Sequence, residues 1–330
     1  MTKARQTRWV FVVLLLVLAT SMILSLGVGA VSLTPAEVFG ALFGSPAKAS
    51  HASIVWNFRL ARVLLVALCG ASLAAAGAGF QGLFRNPLAD PFIVGASGGA
   101  ALGATLAVVL GDTGPIIPMG IAGFFGAIAA VLLVYAIAEV SNYGSITALL
   151  LAGASLSTML SAIVSLLLLL SDEVLHEIFV WLLGGFAGRS WSHLGQAALI
   201  APLGMGGVWL MSRSLDALAA GEESAQGLGL NLQRMRLFIV IAASLATAAA
   251  VAASGIIGFV GLIAPHLSRR FVGSTHGLLI PASMLVGAIL LILSDDLART
   301  VMAPLEMPVG IFTALMGGPF FLYLLRKGRT

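Results

Sequence analysis

The feature that most constrains this chain is a series of long apolar stretches with no Asp, Glu, Lys or Arg near their middles. A helix of about 20 such residues crosses the roughly 30 Å hydrocarbon core of a bilayer. Charges, Pro and Gly bound the stretches and predict ten helices, over residues 9–31, 59–83, 93–110, 115–139, 145–170, 193–212, 236–253, 256–272, 280–297 and 308–325. Only 9% of the 330 residues are charged, against about 25% in a soluble domain, so no large soluble domain fits beside them. The expected fold is an all-α integral membrane protein of ten transmembrane helices, forming one transmembrane domain over residues 1–330.

Lys3, Arg5 and Arg8 precede the first apolar run, and Val28-Gly29-Ala30 imitates a signal-peptidase site. The run exceeds the roughly 7 to 15 residues of a signal core, so it reads as the first span. Ten crossings put both termini on one side. With that side cytoplasmic, Lys3, Arg5, Arg8, Arg85, Arg213, Arg234, Arg236, Arg269, Arg270, Arg326, Lys327 and Arg329 fall inside, and Lys48, Arg59, Arg62, Arg189 and Arg299 outside. Twelve against five satisfies the positive-inside rule. The net charge of +4 is scattered between apolar segments, not gathered on a face, which argues against a nucleic-acid partner.

Two connections are long enough to fold. In the outer one, 171–192, Val174, Ile178, Trp181 and Leu182 form an apolar face expected to lie as a short helix near the interface. In the inner one, 214–233, Leu215, Leu218, Ala225 and Leu228 at helical spacing, broken by Gly221, Gly227 and Gly229, predict two short cytoplasmic helices. Small residues at four-residue steps, Ala71, Ala75 and Gly79 with Ala74, Ala78 and Gly82, predict close helix packing in the second span. The similar strings Gly79–Leu83 and Gly258–Leu262 are expected at opposite ends of their spans.

The absence of charge at mid-span argues against proton coupling, and no G-x-x-x-x-G-K-[ST] string is present to cradle nucleotide phosphates. Any ATP is therefore hydrolysed by another subunit, and no cofactor is expected on this chain. A stand-alone secondary transporter using backbone carbonyls at unwound glycines is the second reading. The single Cys69, the scattered histidines His176, His193 and His266, and the lack of convergent acids offer neither a metal site nor an enzyme's acid-base pair.

Ser155, Thr158, Ser161 and Ser165 place four hydroxyls on one face of the fifth span, either bonding within the bundle or forming a weakly polar wall for a solute path. Arg59 and Arg62 open the second span and Arg299 closes the ninth, where Asp295 and Asp296 can steady it from one turn away. They read as snorkelling residues or as a docking patch for an acidic partner. Glu306, between Pro304 and Pro308, is expected at the start of the last helix, where its charge suits the helix dipole.

The segment Arg85-Asn86-Pro87-Leu88-Ala89-Asp90-Pro91 with Gly95-Ala96-Ser97-Gly98-Gly99-Ala100, the block Gly258 to Arg269 and the block Glu306 to Leu325 together resemble the FecCD-type permeases of type II ABC importers, which carry iron-siderophores, haem and cobalamin. The resemblance implies a homodimer of ten-helix permeases in the bacterial inner membrane, joined to two cytoplasmic ATPase subunits that use ATP and Mg, with a periplasmic binding protein delivering the cargo. It further implies that Asp216, Gly221, Glu222, Ala225, Leu228 and Gly229 form the segment coupled to the ATPase, and that Arg59, Arg62 and Arg299 grip the binding protein. Ser155, Thr158, Ser161 and Ser165 would line the path, with Ser141, Asn142, Ser145 and Thr147 at a cytoplasmic gate. Alternating access is the implied mechanism, with haem or a ferric siderophore as cargo and cobalamin as the alternative.

Overall fold

The computed structural model describes residues 3–29, 31–46, 48–111, 117–142, 146–171 and 175–327, and among them no strand occurs. The helices are α1 (Lys3–Gly27), α2 (Pro35–Leu42), α3 (Ala49–Ser53), α4 (Ala61–Leu83), α5 (Ala96–Val109), α6 (Met119–Asn142), α7 (Ile146–Leu169), α8 (Leu175–Leu182), α9 (Trp191–Leu210), α10 (Ser212–Ala219), α11 (Glu222–Gly227), α12 (Leu232–Ser254), α13 (Val260–Val272), α14 (His276–Thr300) and α15 (Val309–Lys327). Each of the ten predicted stretches holds one of them.

Not every stretch is a full-length span. Six of the described helices are long and apolar enough to cross a membrane, and a seventh crossing results if α9, bent by 42° into α10, counts as one. α5 is shortened because the chain first makes a 3-10 turn at Pro91–Val94, with the Asp90 carboxylate accepting from Phe92 N and Gly95 at φ 90°. α13 begins only at Val260, after Gly255 and Phe259 turn through positive φ. The second span is longer than predicted: α3, a π-helical segment Ile54–Leu60 and α4 run on as one 35-residue rod.

α4 is the axis of the bundle, packed against α14, α12, α9 and α13. Two of its glycines set the spacing, since a Cβ on Gly70 would overlap the Gly287 backbone of α14 and one on Gly77 the Gly261 backbone of α13. Close approach of this kind supplies the dispersion contact that holds helices together where lipid removes the hydrophobic drive between them. The predicted small-residue rows Ala71, Ala75, Gly79 and Ala74, Ala78, Gly82 do lie in this packed region, and all but Ala71 are fully buried.

The similar strings at 79–83 and 258–262 are neighbours, not remote as expected. Gln81 Nε2 donates to the carbonyls of Gly261 at 3.2 Å and Leu262 at 3.4 Å. The reason is the short α13: the non-helical stretch 255–259 carries the chain part of the way back, so α13 starts well along the bundle and meets the second half of α4.

α8 is the short helix expected in the connection 171–192. Ile178 and Trp181 are buried, Trp181 lies against Gly123 of α6, and the carbonyl of Ser254 accepts from Gly185 N at 2.7 Å. Val174 lies outside the described residues. α8 therefore packs its Ile178 and Trp181 face into the bundle while Leu175, Phe179 and Val180 stay exposed.

Candidate functional site

The charged side chains collect at the two ends of the bundle. At one end α14 finishes with Asp295, Asp296 and Arg299 beside Arg62 at the start of α4. Arg62 Nε and Nη2 donate to the two Asp295 oxygens at 3.0 and 2.9 Å, and its Nη1 donates to Glu306 at 2.7 Å. Arg299 Nε is 3.2 Å from Asp295, an ion pair out of line for a hydrogen bond, and the Arg299 guanidinium also pairs with Asp296. Asp295 is thus held between two guanidiniums, at 1% exposure.

Arg59 and Arg299 close the end of α1. Arg59 donates to Leu26 O at 2.7 Å and to Val31 O, while Arg299 donates to Val28 O at 3.0 Å and Ser25 Oγ at 2.7 Å. The final carbonyls of a helix lack intrahelical partners and carry its partial negative charge, so cations there satisfy both needs.

These contacts turn Arg59, Arg62 and Arg299 inward, which corrects their reading as snorkelling side chains. Arg59, Arg62 and Arg299 are only 7%, 9% and 5% exposed, and their donors are spent on α1, α14 and the chain before α15. They clamp four parts of the molecule from inside. Glu306 is corrected too, since it turns to Arg62 and not to the start of α15; its side chain remains 40% exposed.

At the other end lies the elbow of α10 and α11. Asp216 of α10 reaches the first residue of α14, accepting from His276 N at 2.9 Å and lying 2.6 Å from His276 Nδ1. It does the work of an N-cap, because Thr275, which holds the capping position, makes no side-chain cap. Glu222 of α11 pairs with Arg236 of α12 at 2.8 Å and with the more exposed Arg85 at 3.6 Å. Gly221 and Gly229 sit at φ 116° and 82°, a left-handed region that favours glycine, and so frame α11. Ala225 is buried against the bundle, whereas Leu228 projects from it at 74% exposure. The predicted coupling segment is therefore one rigid elbow fastened to α14 and α12, with a single large apolar side chain facing away.

Ser155, Thr158, Ser161 and Ser165 all lie on the exposed face of α7. Thr158 and Ser165 donate back to Ala154 O and Ser161 O, both at 2.9 Å, so their hydroxyl protons are already used within the helix and the oxygens remain outward. Of the gate residues, Ser145 lies outside the described residues. Ser141 and Asn142 are described only as the backbone that ends α6, and Thr147 is exposed at the start of α7. His266 stacks edge-on against Phe320 at 5.5 Å, a packing role.

The residues that resembled a family motif explain themselves locally. Asn86 Oδ1 accepts from Leu88 N and Asp90 from Phe92 N, both at 2.9 Å, fixing the sharp return from α4 into α5. The FecCD transport family matches residues 14–327. The chain belongs to that family. Among its relatives, the hemin transport system permease protein of Yersinia pestis is 38% identical, the match covering 98% of this chain and 97% of that one. A cobalamin import system permease protein of Halobacterium salinarum is 43% identical, over 86% of this chain and 76% of that one. A solved structure described as an inward-facing metal-chelate type ABC transporter superposes with a TM-score of 0.84 at 34% identity, covering 97% and 99% of the two chains. The family is one of transport permeases, and the long apolar helices make this member a multi-pass membrane protein.

Sequence reasoning missed His276, which carries no motif and becomes a partner of Asp216 only through a contact sixty positions apart. It likewise missed the link of Arg62 to Glu306, 244 positions away. The link of Arg299 to Asp295 and Asp296 was legible, because i,i+4 and i,i+3 spacing is local.

Proposed function

We propose that this chain is the permease of an ATP-driven importer of an iron chelate, haem or a ferric siderophore, in the bacterial inner membrane. Two copies pair to enclose the path, each bound to a cytoplasmic ATPase subunit, and a periplasmic binding protein delivers the cargo. The ten helical stretches cross the bilayer with both termini in the cytoplasm, the shorter ones flanked by their neighbours. ATP-driven closure of the ATPase pair moves the elbow, and the bundle rocks to open the path to one side at a time. The hydroxyl face of α7 lines that path, and the turn between α6 and α7, with Ser141, Asn142, Ser145 and Thr147, closes it on the cytoplasmic side.

The observation that carries this reading is the elbow: a protruding Leu228 on a segment latched to α14 through Asp216 and to α12 through Glu222. An apolar knob on a rigid lever suits a socket on a moving partner, because anchors of that kind supply most of an interface's affinity. The charge test is the placement of Arg213, Arg234, Arg236, Arg269 and Arg270 near this end, which matches the positive side of a membrane protein.

The deciding experiment is uptake into proteoliposomes with and without the partner ATPase. Uptake of haem or a ferric siderophore only with ATPase and ATP is the expected result; gradient-driven uptake by the chain alone would establish a stand-alone transporter instead. Leu228→Glu is expected to weaken ATPase binding by tenfold or more, measured by co-purification and equilibrium titration, while the variant elutes as wild type. A cobalamin cargo is the second reading, favoured by the name of the halobacterial relative, and uptake of cobalamin in preference to the iron chelates would establish it.

Docking of the binding protein is expected to work through Glu306. In the internal clamp, Glu306 is the partially exposed partner, so an incoming carboxylate can reach the Arg62 guanidinium only by displacing it. Glu306→Gln removes that competitor and is expected to tighten binding-protein docking severalfold in surface-immobilised nanodiscs. Unchanged or weaker docking would exclude these arginines from the interface.

A further inference from the structure

A cavity of about 540 Å³ opens between α8, the chain 185–189 and the segment 305–308 that leads into α15. It lies at the clamp end of the bundle, because Glu306 lines it while holding Arg62. Its volume falls in the range of roughly 300–1,000 Å³ typical of small-molecule sites. Much of its wall is apolar, including Trp181, Phe186 and Met307.

Two hydrogen-bond donors on this wall have no acceptor. Trp181 Nε1 and Arg189 Nε are both buried and unbonded, and among the described residues no carboxylate pairs with the Arg189 guanidinium. Burial lowers the Arg189 pKa from its ordinary value, a guanidinium nevertheless stays charged in proteins, and among the described residues no carboxylate compensates it. Native interiors rarely leave such groups alone, and among the described residues neither the Arg189 Nε nor the Trp181 N–H finds an acceptor, which suits a ligand entering the cavity. The contrast with the other end-residues lies in charge: Arg62 and Arg299 each pair with carboxylates, and Arg59 donates to two carbonyls of the fold.

We propose that this cavity binds a carboxylate group of an anionic iron chelate, with the Arg189 guanidinium as its cationic partner and the apolar wall against the body of the ligand. The proposal rests on the importer reading for the source of the ligand and narrows its cargo to chelates that carry free carboxylates. A planar guanidinium can take a carboxylate on two parallel N–H bonds, which selects geometry as well as charge. Glu177, exposed and also lining the cavity, is unpaired among the described residues and repels the same ligand.

The test is equilibrium titration of the full chain in lipid nanodiscs, without ATPase, using haem and haem dimethyl ester as probes. The two differ only in whether the carboxylates are free. Arg189→Gln is expected to weaken haem binding by tenfold or more and leave the ester unchanged, and Glu177→Gln to tighten haem binding severalfold. Trp181→Phe keeps the ring, removes the N–H and is expected to weaken haem binding by about threefold to tenfold, matching one hydrogen bond of roughly 1 kcal/mol. It decides the matter if Arg189→Gln fails to fold. Equal affinity for haem and its ester in the unaltered chain, or haem affinity unchanged in either the Arg189 or the Trp181 variant, overturns the site. ATP-driven uptake by the assembled complex is scored separately: its failure overturns the importer reading while the titration still judges the cavity.

Discussion

Replacing Asp295 by alanine is expected to destabilise the folded protein by about 3–5 kcal/mol, the loss typical of breaking a buried ion pair from one side. Asp295 is fully buried between Arg62 and Arg299, with oxygens 2.9 Å from the first and 3.2 Å from the second. Its removal leaves two guanidiniums facing each other across a dry gap, with Glu306 and Asp296 each compensating one of them only from its outer side. Glu306→Gln is the contrasting variant, since a partly exposed partner contributes about 1 kcal/mol or less. The measurement is the unfolding midpoint of each variant in nanodiscs against the unaltered chain. Similar shifts for both variants would place Asp295 in water and remove the interior clamp.

That clamp marks the boundary of what the sequence made legible. The apolar stretches were readable because lipid imposes one rule on every residue of a span, and each stretch indeed contains a helix. The elbow was readable because its glycines and its helical apolar spacing are local signals, and two short helices, α10 and α11, do form there, the first starting two residues before the connection. Arg59, Arg62 and Arg299 were located correctly near helix ends, yet most of their partners were not legible. Whether a guanidinium at a helix end faces out or in depends on what stands opposite, and Asp295, Glu306 and the carbonyls of α1 come from segments that sequence distance does not connect. The same holds for the shortened α13: nothing local says that 255–259 will run non-helically alongside α8, and only the packing of Gly184 and Gly255 reveals it.

The two ends of the bundle are joined by α14. This helix of 25 residues, about 37 Å long, begins at the His276–Asp216 latch and ends in the Asp295–Arg62 clamp. Along its length it lies against α4, with Gly287 on Gly70. A displacement of the elbow therefore reaches the far end through one helix and its most tightly packed neighbour, without passing through a loop. Packed interfaces of this kind switch between discrete arrangements more readily than they deform, which is what alternating access requires.

The tightness of that packing yields the second large effect. Gly77→Ala is expected to prevent recovery of a monodisperse folded protein from the membrane, whereas Gly79→Ala is expected to be tolerated. Both glycines sit on the buried α4, two residues apart in the same run of small residues, so composition and burial do not separate them. Their surroundings do. A Cβ on Gly77 would overlap the carbonyl oxygen, carbonyl carbon and Cα of Gly261, three atoms of a backbone held in place by the Gln81 hydrogen bonds, so α13 as a whole would have to move. A Cβ on Gly79 would meet Val208 Cγ1 at 2.9 Å, the end of a side chain that can shift by a few tenths of an ångström. Ordinary overpacking costs about 1–3 kcal/mol when side chains can give way, and the Gly77 contact offers no such relief. Extraction yield and the elution profile in mild detergent distinguish the outcomes, and a well-folded Gly77→Ala protein would mean that α4 and α13 are not in backbone contact.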